Sequence, residues 1–473
     1  MDKYDVVVIG CGIGGLTCAL LLAKKGMRVA VFEKGANPGG YCSSFSVNGY
    51  RFDACIDSIG GLRSDEPLWH ILKNELGILE KIGLYELNPT RRNIFPDMTV
   101  DIPGDITQYK EILKSIFPAE KEGIDKFFFL MEETYLSSIQ AVYDNAASEL
   151  LLNLINKSYY EVLASFIHDQ KLQAALSSYC TFLGLTSKEV SMIAASNILM
   201  HYVRGGTFRI RGGIQELINI LVNELGRYGG KVFLNEEITA ILCENGKLLG
   251  VITKSGKEVN SKEIISDIDI KTALRLMKSC SLEKEKVNRV ERLEVSGSFV
   301  VVYLGVKNNL HKYNFAPSMG YFSSYDLDAM LNETQHLSFG FSVPSSLDAS
   351  LAPIGHSAIV IHCPFCYNNI KSTSKDTIGN NLIKELAKII PDIMDYIEYQ
   401  SIAGPDTLRR YTGNTSGAAY GWKQDVNLFE SAPLLKSLFD KFHIVGHWAG
   451  YGGGIMPSML SAVSVSKIIG DGV

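Results

Sequence analysis

The chain opens on a short apolar run, Tyr4 to Ile9, whose β-branched residues suit a strand buried on both faces. A glycine-dense turn follows. Leu16 to Lys25 then has helical composition, with Gly26 where a helix C-terminal glycine belongs. Met27 to Phe32 predicts a second buried strand ending at Glu33, which completes a βαβ unit in about thirty residues. The stretch from Val6 to Ala23 carries no charge, yet the glycines at 10, 12, 14 and 15 break it midway. Its ends also lack the flanks of a signal or membrane segment, and no other uncharged run reaches spanning length. The sequence therefore predicts a protein that is not transmembrane.

From roughly Asp65 to Arg204 the pattern changes to long amphipathic segments with few glycines. Ile124 to Tyr143 carries Phe127, Phe128, Phe129, Leu130 and Met131, and Ser148 to Ile167 places Leu151, Leu154, Ile155, Tyr159, Val162, Leu163 and Phe166 at helical spacing. Such stripes fit a helical subdomain packing its own core. The alternative is a helical cap over an apolar substrate tunnel that also touches a membrane surface. Glycines return at 205, 206, 212 and 213, before a helix over Ile214 to Leu225 and a strand over Lys231 to Leu234. Ile238 to Cys243, Leu248 to Lys254 and Lys257 to Val259 predict a small antiparallel meander turning at Asn245-Gly246 and Ser255-Gly256. Ile264-Ile265 begins a further strand, and Ile268 to Met277 a helix. Strands follow near Ser298 to Val306 and Ala358 to His362, and a helix over Thr377 to Ile390. The chain closes with the strand Phe442 to Val445, a glycine-dense loop and a helix from Pro457 to Ile469.

Length changes this picture by requiring more than one simple core: 473 residues predict two domains, or one with large insertions. A net charge of −5 offers no global attraction to nucleic acid or anionic lipid, and no Lys/Arg run demands a local one. The nine cysteines, at 11, 18, 42, 55, 180, 243, 280, 363 and 366, are odd in number and irregularly spaced, which predicts a reducing cytoplasm. Cys363-Pro-Phe-Cys366 has redox or half-zinc spacing, but no second pair lies nearby, so no metal site is expected.

Gly10-Cys11-Gly12-Ile13-Gly14-Gly15 matches GxGxxG in a specific context: after a buried strand, opening a helix, with Glu33 ending the next strand. Gly10 permits the tight turn, Gly12 lets backbone approach a pyrophosphate, and Gly15 lets helix and strand pack closely. The helix N-terminus offers unpaired N–H groups to that diphosphate, and Glu33 can accept from both hydroxyls of the adenosine ribose. This motif alone leaves NAD and FAD open. No Ser/His/Asp order, HExxH helix, Walker loop or EF-hand loop accompanies it.

Asn37-Pro38-Gly39-Gly40, Phe52-Asp53-Ala54-Cys55, Val445-Gly446-His447 and Gly450-Tyr451-Gly452-Gly453-Gly454-Ile455-Met456-Pro457 join the N-terminal unit in a wider pattern. Together they resemble the flavoproteins that include carotenoid desaturases, carotenoid isomerases and retinol saturases, a branch of the amine-oxidase-like class. Gly205-Gly206-Thr207 to Gly212-Gly213, and Gly229-Gly230 to Ile241, are similar to that family's linker and second nucleotide-side strand. Pro405-Asp406-Thr407 to Tyr411-Thr412 and Gly417-Ala418-Ala419-Tyr420-Gly421 look most like its isomerase and saturase members.

The resemblance implies an α/β fold of glutathione-reductase type. A Rossmann-like FAD-binding domain would be discontinuous over 1–75, 205–285 and 404–473, with an α+β substrate domain and helical cap over 76–204 and 286–403. It implies FAD as cofactor, with Gly10, Gly12, Ile13, Gly14 and Gly15 at the pyrophosphate and Glu33 at the ribose. Lys34, Gly40, Tyr41, Ser58 and Ile59 would line the dinucleotide, and Ile238 would meet adenine through its backbone. Gly446, Gly454, Ile455 and Met456 would follow the ribityl chain and flavin ring, with the last helix's N-terminus aimed at the ring. Two departures stand out: His447 where relatives often carry an acid, and Cys55 where many have Gly. His447 is read either as an acid–base group beside the flavin or as a hydrogen-bonding structural histidine. The implied reaction is redox work or isomerisation at C=C or CH–CH bonds of a hydrophobic polyene- or isoprenoid-like small molecule. The expected protein is cytoplasmic, with peripheral membrane contact possible and no nucleic-acid partner. An alternative is an amine-oxidase-like enzyme using Tyr411, Tyr420 and Trp422 as an aromatic cage. A non-catalytic flavin- or lipid-binding protein is a third reading.

Overall fold

The computed structural model describes residues 2–144, 146–277, 280–332, 338–365, 374–428, 435 and 438–470. The strand Asp2–Ile9 lies at the middle of a seven-stranded sheet, flanked in parallel by Val29–Phe32 and by Glu258–Ser266. Val6, Val7 and Val8 are wholly buried, as a strand covered on both faces requires. Lys231–Phe233 extends the sheet beyond Val29–Phe32, again in parallel. The helix Ile13–Lys24 is buried along nearly its full length, between this sheet and the C-terminal helix Ile455–Gly470.

The strand Glu258–Ser266 does two jobs. Its first half pairs antiparallel with Lys247–Thr253, which pairs in turn with Ile238–Glu244, while its last three residues pair parallel with Phe442–Ile444. The polar stretch Asn260-Ser261-Lys262-Glu263 hides this continuity, so the sequence divides one nine-residue strand into two. The hairpin before it turns at Asn245 and Gly246, both at positive φ (50° and 74°), as a two-residue turn demands.

A second seven-stranded sheet runs in the order Ile397–Ala403, Ser298–Val306, Ser357–Phe365, Phe339–Ser342, Met319–Tyr321, Arg91–Ile94, Thr99–Ile102. The helix Lys375–Ile389 packs on one face through Ile378, Leu382, Ile383 and Leu386. Between the sheets stand the hairpin Ser44–Val47/Tyr50–Asp53 and a small sheet of Ile59–Gly60, Thr207–Ile210 and Leu84–Glu86.

The amphipathic region is a layer of helices: Ile106–Ile116, Lys121–Asp144, Glu149–Leu154, Tyr159–Phe166, Gln170–Ser177 and Met192–Val203. Ser148 to Ile167 is two helices, because Ser158 starts a second one with a full capping box to Glu161. The long helix buries Ile124, Phe127, Phe128, Met131 and Tyr135 in a core continuous with that around the helix Ile13–Lys24.

The cysteines depart from the fully reduced expectation. Cys243 and Cys280 are disulfide-bonded, their Cα atoms 5.1 Å apart across 37 residues of sequence. The strand Ile238–Glu244, which carries Cys243, and the bend at Cys280 meet only in the fold, so no spacing announces the pair. Cys363 is buried and unbonded, whereas Cys366 lies outside the described residues. Among the described residues no helix is long and apolar enough to cross a membrane.

Candidate functional site

A cavity of about 470 Å³ runs from the glycine turn, between the two large sheets, to the helix Met192–Val203. At its near end the strand Asp2–Ile9 stops at Gly10 (φ 95°), and the helix Ile13–Lys24 begins with no side-chain cap. Its N-cap residue, a glycine, brings no side chain to compete with an anion for the amides of the first turn. Gly10, Gly12, Ile13 and Gly14 form the wall there. Gly15 stands behind it, where a β-carbon would lie 2.9 Å from Gly10 O; it serves helix-to-strand packing. Glu33 is held in place by two amides: Cys11 N donates to Oε2 (3.0 Å) and Gly35 N to Oε1 (2.8 Å). Lys34, Gly40, Tyr41, Ser58, Ile59 and Ile238 continue the lining. The Tyr41 hydroxyl donates to Ala418 O at 2.8 Å.

The other end of the chain closes the same cavity. Gly446, Gly454, Ile455 and Met456 line it, and the helix Ile455–Gly470 starts at its edge. Two helix N-termini thus border the same cavity, each presenting a positive dipole end. The segment leading to the second helix approaches the first closely: a β-carbon on Gly14 would stand 2.6 Å from Gly446 N. Gly446 N in turn donates to Ser461 Oγ, 2.9 Å away. His447 lines the cavity, but burial lowers its imidazole to about 4, so it is neutral near pH 7. Its ring stands edge-on to Tyr41 and Trp448, with centroids 5.9 and 5.3 Å away, and 3.4 Å separates Nε2 from Asn414 Nδ2.

One floor residue escaped the sequence reading. Asp267, just past the strand Glu258–Ser266, lies beneath the glycine turn with its Oδ2 against Gly12 and Gly15. Burial above all raises its carboxyl to about 7; the Gly15 and Gly12 amides hold it down in part, and Glu33 pushes it up further. The signal available was a carboxylate immediately after a run of buried strand residues.

The far chamber mixes apolar walls with a polar cluster that no motif announced. Phe182, Leu183, Ala194, Ile198 and Val360 supply apolar surface, which gives the helix Met192–Val203 the covering role as well as a place in the helical core. Arg209 pairs with Asp57 at 2.7 Å and also donates to the Asp57 carbonyl from Nη2 (2.6 Å) and Nε (3.0 Å). Burial pushes the Asp57 carboxyl up, yet the Arg209 charge, with hydrogen bonds from Ser318 and Ser342, outweighs it and leaves it below the usual range. Arg91, His362 and His201 complete the cluster, with burial lowering both imidazoles.

The three aromatic candidates do not form one wall. Tyr420 lines the cavity, Tyr411 stands at its mouth with 71% of its surface exposed, and Trp422 is turned away. The Trp422 indole packs edge-on against Trp448 (4.9 Å) and donates to Trp448 O.

The profile of the family described as "Flavin containing amine oxidoreductase" matches residues 13–469. A prolycopene isomerase of an Oncidium hybrid cultivar is 27% identical over 456 residues, covering 89% of this chain and 75% of the relative. A 4,4'-diapophytoene desaturase of a Methylomonas species is 24% identical over 484 residues, covering 94% and 88%. In fold, an oxidoreductase from Methanosarcina mazei superposes with a TM-score of 0.67 at 20% identity, over 98% of this chain and 99% of the other.

Proposed function

The chain belongs to the flavin-containing amine oxidoreductase family as an FAD-dependent oxidoreductase, and on that footing we propose that it acts on C=C or CH–CH bonds of a hydrophobic, polyene- or isoprenoid-like molecule. The observation that carries this reading is the continuity of the cavity, from the glycine turn to a chamber walled by Phe182, Leu183, Ile198 and Val360. A small polar substrate would leave that apolar surface unused.

The residues present suit FAD. Gly10, Gly12, Ile13 and Gly14 would hold the diphosphate against the N-terminus of the helix Ile13–Lys24, with Gly15 packing behind them and the N-terminus of the last helix facing the ring. Glu33, already oriented by Cys11 N and Gly35 N, would take the adenosine ribose hydroxyls. Lys34, Gly40 and Tyr41 would follow the dinucleotide, and Ile238 would meet adenine. Ser58, Ile59, Gly446, Gly454, Ile455 and Met456 would border the ring and its ribityl chain. Bound FAD supplies the hydride-accepting and hydride-donating centre. The chain supplies shape, dryness and orientation, with His447 and Tyr420 beside the ring as neutral groups.

In its domain organisation the chain has an FAD-binding unit of 1–75, 205–285 and 404–473, set against a substrate unit of 76–204 and 286–403. The second reading is oxidation of a C–N bond, which the family's name favours. The outward turn of Trp422 and the exposure of Tyr411 count against an amine cage. Anaerobic mixing of the holoenzyme with a panel of polyenes and a panel of amines separates the two. Change in the flavin band with polyenes alone supports the first reading; bleaching by amines alone overturns it.

A further inference from the structure

Four strands of the second large sheet share one transverse row: Asn93, Gly320, Gly340 and His362 are consecutive register partners. The two glycines leave a trench in the middle of that row, and the Arg91 guanidinium lies in it. A β-carbon on Gly320 would stand 2.6 Å from Arg91 Nη2, and one on Gly340 3.3 Å from the same atom. Arg91 is 3% exposed, and the Phe182 ring covers its guanidinium at 4.5 Å. Its hydrogen bonds go to neutral acceptors: Nε to Asn93 Oδ1 (2.8 Å) and Nη1 to Ser318 Oγ (3.3 Å).

No carboxylate forms an ion pair with Arg91 among the described residues; the nearby Asp57 is already committed to Arg209. The cluster therefore holds two cations and one anion, with His362 kept neutral by burial. One positive charge is left over around the trench, since the neighbouring Asp53 carboxyl is pushed up by burial and held by Ser44 and the Ile214 amide. A buried charge without a partner is costly, and a well-placed counter-ion offsets that cost. His362 Nε2 is buried beside the same trench without a hydrogen-bond partner.

We propose that this trench is a carboxylate site, in which Arg91, with Ser318 and His362 beside it, takes the acid end of the substrate while the apolar body extends toward the flavin. The inference rests on the apolar-substrate reading above and narrows it from a hydrocarbon to an amphiphile with one negative charge. A single carboxylate matches the one surplus charge, whereas a phosphate dianion would overshoot it. The planar fork of Arg also suits the planar carboxylate.

The test compares two ligands that share one polyene tail: all-trans-retinoic acid and all-trans-retinol, titrated into the FAD-loaded protein and followed by tryptophan fluorescence and the flavin band. The acid is expected to bind at least about tenfold tighter, the preference that a charge-assisted hydrogen bond confers. Arg91→Met is expected to abolish the preference by weakening the acid alone, and Arg91→Lys to keep part of it. Equal binding of the two ligands to the wild-type protein overturns the carboxylate site while leaving the apolar-substrate reading intact. Binding of neither overturns that reading and the inference with it. The wild-type comparison decides the matter even where a variant fails to fold.

Discussion

Asp267 Oδ2 lies 2.5 Å from where a β-carbon on Gly12 would stand, so a buried carboxyl forms the floor of the glycine turn. Glycine at 12 is thus required from below by Asp267 as well as from above by an approaching diphosphate. The two negative groups would repel one another unless Asp267 carries a proton.

FAD affinity is therefore expected to depend on pH. The Asp267 carboxyl titrates at about 7 in the free protein, and the charge of the diphosphate pushes it higher on binding. Binding takes up a proton, so affinity is full below about pH 7 and falls by up to about tenfold per unit above it. Asp267→Asn is expected to flatten the profile, measured as FAD dissociation constants from about pH 6 to about pH 9. A wild-type profile already flat across that window would separate Asp267 from the cofactor.

The same carboxyl bears on stability, with a definite sign. Its folded value of about 7 exceeds the model-compound 3.8, so the native state binds this proton more tightly than the unfolded state. That contribution is present below the unfolded value and is lost as pH rises to about 7. In the FAD-free protein, Asp267→Asn is expected to melt higher than wild type near pH 8, with a smaller gap near pH 5, by roughly a few kcal/mol at most. Calorimetry at the two pH values checks it.

Much of this architecture is legible in the sequence, and the reasons for the exceptions are physical. The βαβ unit, the meander and the last helix are local patterns of burial period and turn chemistry, so Gly10, Glu33 and Gly454 can be recognised in place. The continuity of the strand Glu258–Ser266 is hidden because the polar run Asn260-Ser261-Lys262-Glu263 interrupts its apolar pattern. Asp267, Asp57, Arg91, Arg209 and His362 are charged or titratable side chains from distant segments, and solvent exposure is the normal expectation for most of them. Their burial depends on strand register, which no single stretch encodes. The Cys243–Cys280 bond is hidden for the same reason.

The Asp57–Arg209 pair offers a stability test of the far chamber. Arg209→Met leaves Asp57 buried and unpaired, at an expected cost of about 3–5 kcal/mol near neutrality. Asp57 sits below its ordinary value because of Arg209, so the pair's contribution is present above the unfolded carboxylate value and is lost as pH falls. The deficit of the variant is accordingly expected to shrink toward acid pH, and adding Asp57→Asn to recover part of it at neutrality. Denaturant melts of the single and double variants at two pH values measure both effects. A variant as stable as wild type at neutral pH would show that the pair is not buried as described.

Gly14 and Gly446 tie the two ends of the chain into one site, and cofactor binding depends on that closure. The most direct measurement is the FAD content of the purified, FAD-supplemented protein, by absorbance after release, for wild type and Gly14→Val, with circular dichroism to establish folding. Close to one FAD per wild-type chain is expected, and a loss of affinity of roughly fivefold to a hundredfold in the folded variant, since an overpacked close approach costs about 1–3 kcal/mol. A wild-type chain that stays colourless after FAD is added, or a folded Gly14→Val that holds FAD undiminished, would contradict that expectation.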